Sequence, residues 1–317
     1  MKEYLALFRA GPKSLHKYTV EGIENQNFDY ALSYFGDDEP PADGAVFVHR
    51  QKGPKWPGLE QTLRQNWDVV RAYKYVWLPD DDLLCQPDLV SRLFENCKKM
   101  EVDIGQPALT HDSYFTHVVT LQHKSFEMRF TNFVEIMAPV FSVGFLDRVL
   151  DTFSCNLSGY GLDALWPRMS RLGNVVIFDD VPVKHTRPVG GDNYVFNKAS
   201  GVPAWMEGAI CFAQSFVETP SDYHICFGGV MKDGTASALG GNPMELERLL
   251  SMLFHSLGGA PCGATQLTQY VANHLDYWRG REHGRVSYPR DLIRILLNQK
   301  LARLGIQAGE PALAKAA

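Results

Sequence analysis

Between residues 4 and 100 the chain alternates short apolar runs with amphipathic stretches, and this alternation restricts the folds open to it. Residues 4–8 (YLALF), 28–35 (FDYALSYF), 45–49 (AVFVH) and 74–78 (KYVWL) read as strands. Residues 58–72 carry Leu59, Leu63, Trp67 and Val70 at helical spacing behind an opening Glu60. Residues 87–100 read as a second helix, with Pro87 where a missing N–H does no harm. Strands and helices in this rhythm predict an α/β fold with a largely parallel sheet. In such sheets ligands sit at the carboxyl ends of the strands. Arg9, Asp37, Asp38 and the run Asp80-Asp81-Asp82 all fall on that edge.

The second half is less regular. Strands are expected over 117–122, 134–142 and 175–178, and a short helix over 147–153. Past about residue 195 the alternation stops. Residues 223–238 read as a hairpin around Lys232-Asp233-Gly234. Helices are expected over 242–257, where Leu246, Leu249, Leu250, Leu253, Phe254 and Leu257 repeat at helical spacing, and over 264–279 and 289–304. The last carries Arg290, Arg294, Lys300 and Arg303. We expect it to pack on the sheet domain, with peripheral membrane contact as the alternative. The expected division is a catalytic domain over 1–195, a hairpin and helical region packed on it over 196–306, and a disordered tail over 307–317.

Composition narrows the function classes. The chain is 45% hydrophobic and 21% charged, as in globular proteins. A net charge of −5 does not point to nucleic acid or an anionic membrane as the main partner. No apolar run approaches the ~20 residues of a transmembrane helix. The opening MKEYLALFRAG lacks the apolar core and cleavage site of a signal peptide, so a cytoplasmic location is expected. The six cysteines are scattered with no C-x-x-C pair, which predicts reduced, mostly buried thiols.

The acidic run at the end of an apolar strand needs an explanation, because like charges this close repel. In one account the side chains cap the helix that begins near Pro87. In the other they hold a divalent cation: Mg²⁺ and Mn²⁺ take hard oxygen ligands, often one or two carboxylates plus substrate phosphates. Successive residues in extended chain face opposite ways, so Asp80 and Asp82 would converge while Asp81 points away.

Two later stretches favour the cation. In SGYGLDALW (158–166), Gly159 and Gly161 permit a tight loop before a helix, and Asp163 falls in the first turn. In VPVKHTRPVGGDN (181–193), a strand end brings His185, then Arg187, then a Pro-Gly-Gly loop. A metal-ligating histidine beside a phosphate clamp has that composition, and Gly190 and Gly191 would let the loop close.

Taken in order, Asp80-Asp81-Asp82, FVEIMAPVFS (133–142), Asp163 in GLD and His185 resemble the motif set of the GT-A glycosyltransferases. That set comprises a D-x-D motif, a central small-residue loop, an acidic G-x-E/D-like motif and a C-terminal metal-binding histidine. The central loop departs from it, having Ile136-Met137-Ala138 and no glycine. More narrowly, RAGPKSLH (9–16), FDYALSYFGDD (28–38), GPKWPGL (53–59), WLPDDDL (77–83), GQPAL (105–109), FVEIMAPVFS, GYGLDALW and VKHTRPVGG resemble an uncharacterised family of bacterial and plant proteins. Its plant members carry the label "lysine-ketoglutarate reductase trans-splicing related". The resemblance spans about residues 4–195.

The resemblance implies a Rossmann-like GT-A sheet, to which the helical periodicity past residue 196 adds a mostly helical C-terminal extension. It also implies transfer from a UDP- or GDP-sugar to a glycan or saccharide hydroxyl, with Mn²⁺ or Mg²⁺ bridging the diphosphate. The stereochemical outcome stays open, inversion being expected only from the placement of Asp163 as a base. Asp80, Asp82 and His185 would be the ligands and Asp163 the base. Arg187, less so Lys184, would contact phosphate, with Asp81 nearby. Arg9, Ala10, Gly11 and Ser14 would meet the nucleotide at the first strand's tip. Asp37 or Asp38 would accept from base or ribose, Tyr34 would stack, and Lys55 and Trp56 would face the donor. His111, Asp112, His117 and Glu135 would line the acceptor side, with Trp166 as a wall.

Two other readings share parts of this pattern. A sugar-nucleotide nucleotidyltransferase would carry a Gly- and Arg-rich phosphate loop after the first strand, which FRAGPKSLH matches only in part. A non-catalytic nucleotide-sugar-binding module would have no need of Asp163.

Overall fold

The computed structural model describes residues 1–190, 199–217, 224–236, 243–279 and 290–307. Its strands are β1 (Tyr4–Ala10), β2 (Phe28–Tyr34), β3 (Val48–Arg50), β4 (Tyr75–Trp77), β5 (Leu83–Leu84), β6 (Ile104–Leu109), β7 (Phe126–Thr131), β8 (Val140–Ser142), β9 (Val175–His185) and β10 (Cys226–Met231). The sheet runs β10-β7-β9-β6-β8-β4-β1-β2-β3, with β5 paired to β9. The fold is α/β, as the sequence implies.

Every residue of β1 is buried. Tyr4, Ala6, Phe8 and Ala10 face one side, where Val90, Leu93, Phe94 and Cys97 of the helix Pro87–Lys99 cover them. Leu5 and Leu7 face the other side, in one cluster with Trp56, Leu59 and Leu63 of the helix Lys55–Gln65. A strand covered on both faces reads as a continuous apolar run, which is why it was legible.

The sheet is mixed, not largely parallel. β3, β2, β1 and β4 are mutually parallel. β8 is antiparallel to β4 and β6, and β7 to β9 and β10. The chain returns across the carboxyl end of β4 before entering β8, with Asp80 N–H donating to the Met137 carbonyl (2.7 Å) and Leu78 N–H to that of Pro139 (2.9 Å). β8 therefore enters reversed.

Other differences have local causes. The expected strand at 117–122 is a single turn, Val118–Thr120. The expected helix at 58–72 breaks at Asn66 into Lys55–Gln65 and Trp67–Val70. In β7 and β9 the polar residues Arg129 and Asp179 interrupt the apolar pattern. They pair at 2.7 Å with both side chains fully buried, and β9 continues through Asp179 to His185. The helix Ala204–Gln214 was not expected: its only charged residue, Glu207, is buried, while Trp205, Met206 and Ile210 are exposed.

The helices Pro243–Ser256, Ala264–Arg279 and Arg290–Arg303 lie where their periodicity placed them. Leu249, Leu253, Tyr270, Ile293 and Leu297 join the cluster that covers β1. Lys300 donates to the Gly173 carbonyl and to Asn174, so the last helix packs on the sheet domain. β10 pairs mainly with β7, and Val230 bridges to Ala236 beyond the turn. All six cysteines are free, Cys85, Cys97, Cys211 and Cys226 being buried. No described helix is long and apolar enough to cross a membrane. Residues 191–193 of the expected lid, and the tail from 308, lie outside the described residues.

Candidate active site

The chain leaves β1 to one side for β2 and β3 and returns to the other side at β4. The carboxyl ends of β1 and β4 thus flank the point where strand order reverses, the usual ligand crevice of such sheets. Gly11 follows one strand and the triplet Asp80–Asp82 the other.

β5 then pairs antiparallel with the end of β9, Leu83 opposite His185 and Leu84 opposite Lys184. The Asp82 carbonyl accepts from the Thr186 amide (3.1 Å) and hydroxyl (2.8 Å). This short ladder fixes the triplet against His185.

The three carboxylates separate. Asp80 takes the buried Lys55 ammonium at 2.5 Å, which also donates to the Ile136 carbonyl (2.6 Å). Asp81 turns to the tip of β1, accepting from Gly11 N–H (3.3 Å) and pairing with Arg187 (3.1 Å). Asp82 Oδ2 lies 3.3 Å from His185 Nε2, while the buried Oδ1 has no hydrogen-bond partner among the described residues. None of the three caps the helix Pro87–Lys99, whose N-cap is Gln86 with no side-chain bond, so the capping account fails. Burial raises the Asp80 carboxyl above its ordinary value, Lys55 only partly opposing, and pushes Asp81 up to about 6.

His185 explains how these charges coexist. Its Nδ1 lies 2.8 Å from the Tyr114 carbonyl, which can only accept, so Nδ1 carries a proton. Nε2 then faces a carboxylate and is repelled unless it too is protonated or a cation lies between. Burial lowers the imidazole pKa, but the Asp82 hydrogen bond and charge outweigh it and the net shift is upward.

The donor set suits a hard cation in part. Asp82 brings an unpartnered oxygen and His185 a nitrogen oriented by a backbone carbonyl, as metal-binding histidines usually are. Among the described residues, however, no group of three His, Cys, Asp or Glu stands ready to hold a metal. Asp80 is turned to Lys55 and would have to exchange it for the cation.

The β1-tip residues serve the frame. The Arg9 guanidinium donates to the Ser33 hydroxyl (3.0 Å) and to the carbonyls of Gln51 (2.7 Å) and Gly53 (2.8 Å), beneath the loop after β3. Ala10 is buried, and Ser14 accepts from His16 N–H. Tyr34 is buried and donates to Asp38, and Asp37 pairs with Lys52 at the surface. Lys184 pairs with Asp112 (2.6 Å), and His111 meets the Gln122 carbonyl. Trp56 and Trp166 are both fully buried, 4.8 Å apart in an aromatic cluster with Phe153, and Trp166 is core where a wall was expected, while the Lys55 ammonium lies over the Trp56 ring.

Within electrostatic reach of the triplet lies an acid pair. Gly159 (φ 82°) and Gly161 (φ 91°) adopt the left-handed backbone that shapes the loop before the helix Leu162–Met169. The Asp163 carbonyl accepts from Val134 N–H (3.3 Å), joining that helix to the segment bearing Glu135. Glu135 is buried, with Oε2 unpartnered among the described residues. Burial pushes the Asp163 carboxyl up to about 7 and, with the Asp163 charge, the Glu135 carboxyl up to about 8.

Beside this pair the structure assembles His117, Phe133 and His224, ring centroids 4.0–4.7 Å apart. His224 carried no signal in the sequence, because its contact with Phe133 joins stretches far apart along the chain.

No family model matches this chain, and no curated protein matches it. Among solved structures, S. aureus TarS 1-349 is similar at 9% identity and TM-score 0.42, over 96% of this chain and 81% of that one. The same protein in complex with UDP-GlcNAc is similar at 11% identity and TM-score 0.41, over 89% of this chain and 93% of that one. At these scores the likeness assigns no family.

Proposed function

We propose that this chain is a metal-dependent glycosyltransferase of GT-A type, moving a sugar from a UDP- or GDP-sugar to a saccharide hydroxyl. The observation that carries this reading is the contact between Asp82 and His185 at the strand-order reversal. There, a carboxylate with an unpartnered buried oxygen faces an imidazole nitrogen that needs a proton or a cation.

Asp82 and His185 would hold Mn²⁺ or Mg²⁺, with Asp80 joining on release of Lys55 and the diphosphate completing the shell. When bound, the cation supplies Lewis-acid stabilisation of leaving-group charge. Arg187, a planar cation at the mouth of the site, would add hydrogen bonds to phosphate, exchanging its bond to Asp81.

The acceptor hydroxyl attacks the anomeric carbon as the bond to the diphosphate oxygen breaks, and the diphosphate leaves with the electron pair. Asp163 takes the hydroxyl proton. A carboxyl titrating at about 7 is matched to that task near neutral pH. Attack opposite the diphosphate inverts the anomeric configuration.

Incubation with UDP- and GDP-sugars, Mn²⁺ and a saccharide panel should release nucleoside diphosphate only when acceptor and metal are both present. Release unchanged by chelation would refute metal dependence, and no release from any donor would refute the transferase.

A further inference from the structure

We propose that His117 and His224, backed by Phe133, form a sugar-binding subsite that hydrogen-bonds the hydroxyls of a pyranose acceptor. This rests on the transferase reading and names the chemistry of its second substrate.

His224 lies over the Phe133 ring at 4.0 Å and 34°, and His117 meets both rings edge-on, at 4.4 Å from His224 and 4.7 Å from Phe133. Phe133 is buried, whereas both imidazoles are half-buried and reach the surface. Neither imidazole has a hydrogen bond through its ring nitrogens among the described residues, and neither appears among the buried unpartnered groups, so these nitrogens face accessible space. The elements around them adjoin the acid pair. The Thr120 hydroxyl donates to the His117 carbonyl (2.7 Å) and lies against Glu135. Phe133 is two residues from Glu135, and Val134 is bonded to Asp163.

The ligand class follows from the charge state. Burial drives His117 down to about 4 and His224 to about 3, so both rings are neutral at physiological pH. A neutral imidazole offers one N–H donor and one nitrogen acceptor and attracts neither phosphate nor ammonium. Two of them, held by ring stacking, present two donors and two acceptors on one wall. A sugar hydroxyl is itself donor and acceptor, and adjacent hydroxyls on a pyranose match such a pair.

Saturation-transfer NMR with a panel of methyl pyranosides, without donor or metal, tests this directly. At least one glycoside should bind the wild type. His117→Phe and His224→Phe keep an aromatic ring and remove the nitrogens, and each should weaken that glycoside about two- to tenfold, the usual worth of one neutral hydrogen bond. UDP affinity with Mn²⁺ and the thermal midpoint should stay as in wild type. No glycoside binding to the wild type, or equal binding to the folded double variant, would overturn the subsite. Glycoside binding that depends on the imidazoles in a protein that binds no nucleotide would keep the subsite and refute the transferase.

Discussion

The Asp82 carboxylate and the His185 imidazole meet at 3.3 Å, and the Tyr114 carbonyl on the far side of the ring commits His185 to presenting Nε2 to Asp82. With no cation, Nε2 must hold a proton for the contact to be attractive. With one, the proton would leave and both groups would become ligands. Asp82→Asn should therefore lower Mn²⁺-dependent UDP affinity at least about tenfold, since outer-sphere partners alone are typically worth ~10–100-fold. Titration calorimetry in two buffers of different ionisation heat should also show proton release on metal binding to the wild type. Unchanged affinity in the variant would remove Asp82 from the site.

Lys55 sets the cost of leaving Asp80 unpaired. Its ammonium is buried, whereas Asp80 is one-third exposed. Lys55→Met should destabilise the fold by about 2 kcal/mol, below the ~3–5 kcal/mol of a fully buried broken pair because water reaches Asp80. Asp80→Asn added to Lys55→Met should recover part of that loss. Denaturant melts of the single and double variants check both.

Gly159 is strained for any other residue. Its φ is 82°, and a Cβ there would lie 2.7 Å from Trp56 Nε1 and from Ile136 Cδ1. Gly159→Ala should cost about 1–3 kcal/mol in strain and lower activity by moving Asp163. A melt unchanged from wild type would show the loop to be slack.

Asp163 and Glu135 give the molecule a pH signature. Both are carboxyls raised in the folded state, to about 7 and about 8. The folded chain then binds more protons than the unfolded chain from near pH 4 to these values, so their contribution to stability is present below that window and lost as pH rises through it. With Asp163 as base, turnover should run the other way, rising with pH to a plateau above about 7 as Asp163 ionises. Asp163→Asn should remove that limb and cut turnover by about 10²–10⁴-fold while UDP affinity holds. A pH–rate profile of both forms decides this, and a near-full rate in the variant would pass the base to another group, Glu135 first.

Local pattern carried what the sequence revealed. β1 and the helix Pro87–Lys99 could be read from burial and periodicity, and the triplet from its place after β4. Tertiary pairing hid the rest. Arg129 and Asp179 make two buried strands look polar because each satisfies the other across the sheet. The helix Ala204–Gln214 turns its one charge inward, where Glu207 holds the Ser158 amide and hydroxyl, so no amphipathic pattern announced it. Lys55 neutralises Asp80, a partner that only the fold supplies. The aromatic motif residues Trp56 and Trp166 proved to be core, since large rings at such positions close the sheet's second face.

The central claim is that Asp82 and His185 bind a divalent cation together with a nucleoside diphosphate. Thermal unfolding in the presence of UDP or GDP, with and without Mn²⁺, tests it most directly, because a ligand of the folded state adds stability by mass action, about 2.7 kcal/mol at a hundredfold excess over Kd. The midpoint should rise with one nucleotide and Mn²⁺ together, much less with either alone, and not at all in Asp82→Asn. Equal midpoints with and without Mn²⁺ for both nucleotides would contradict it.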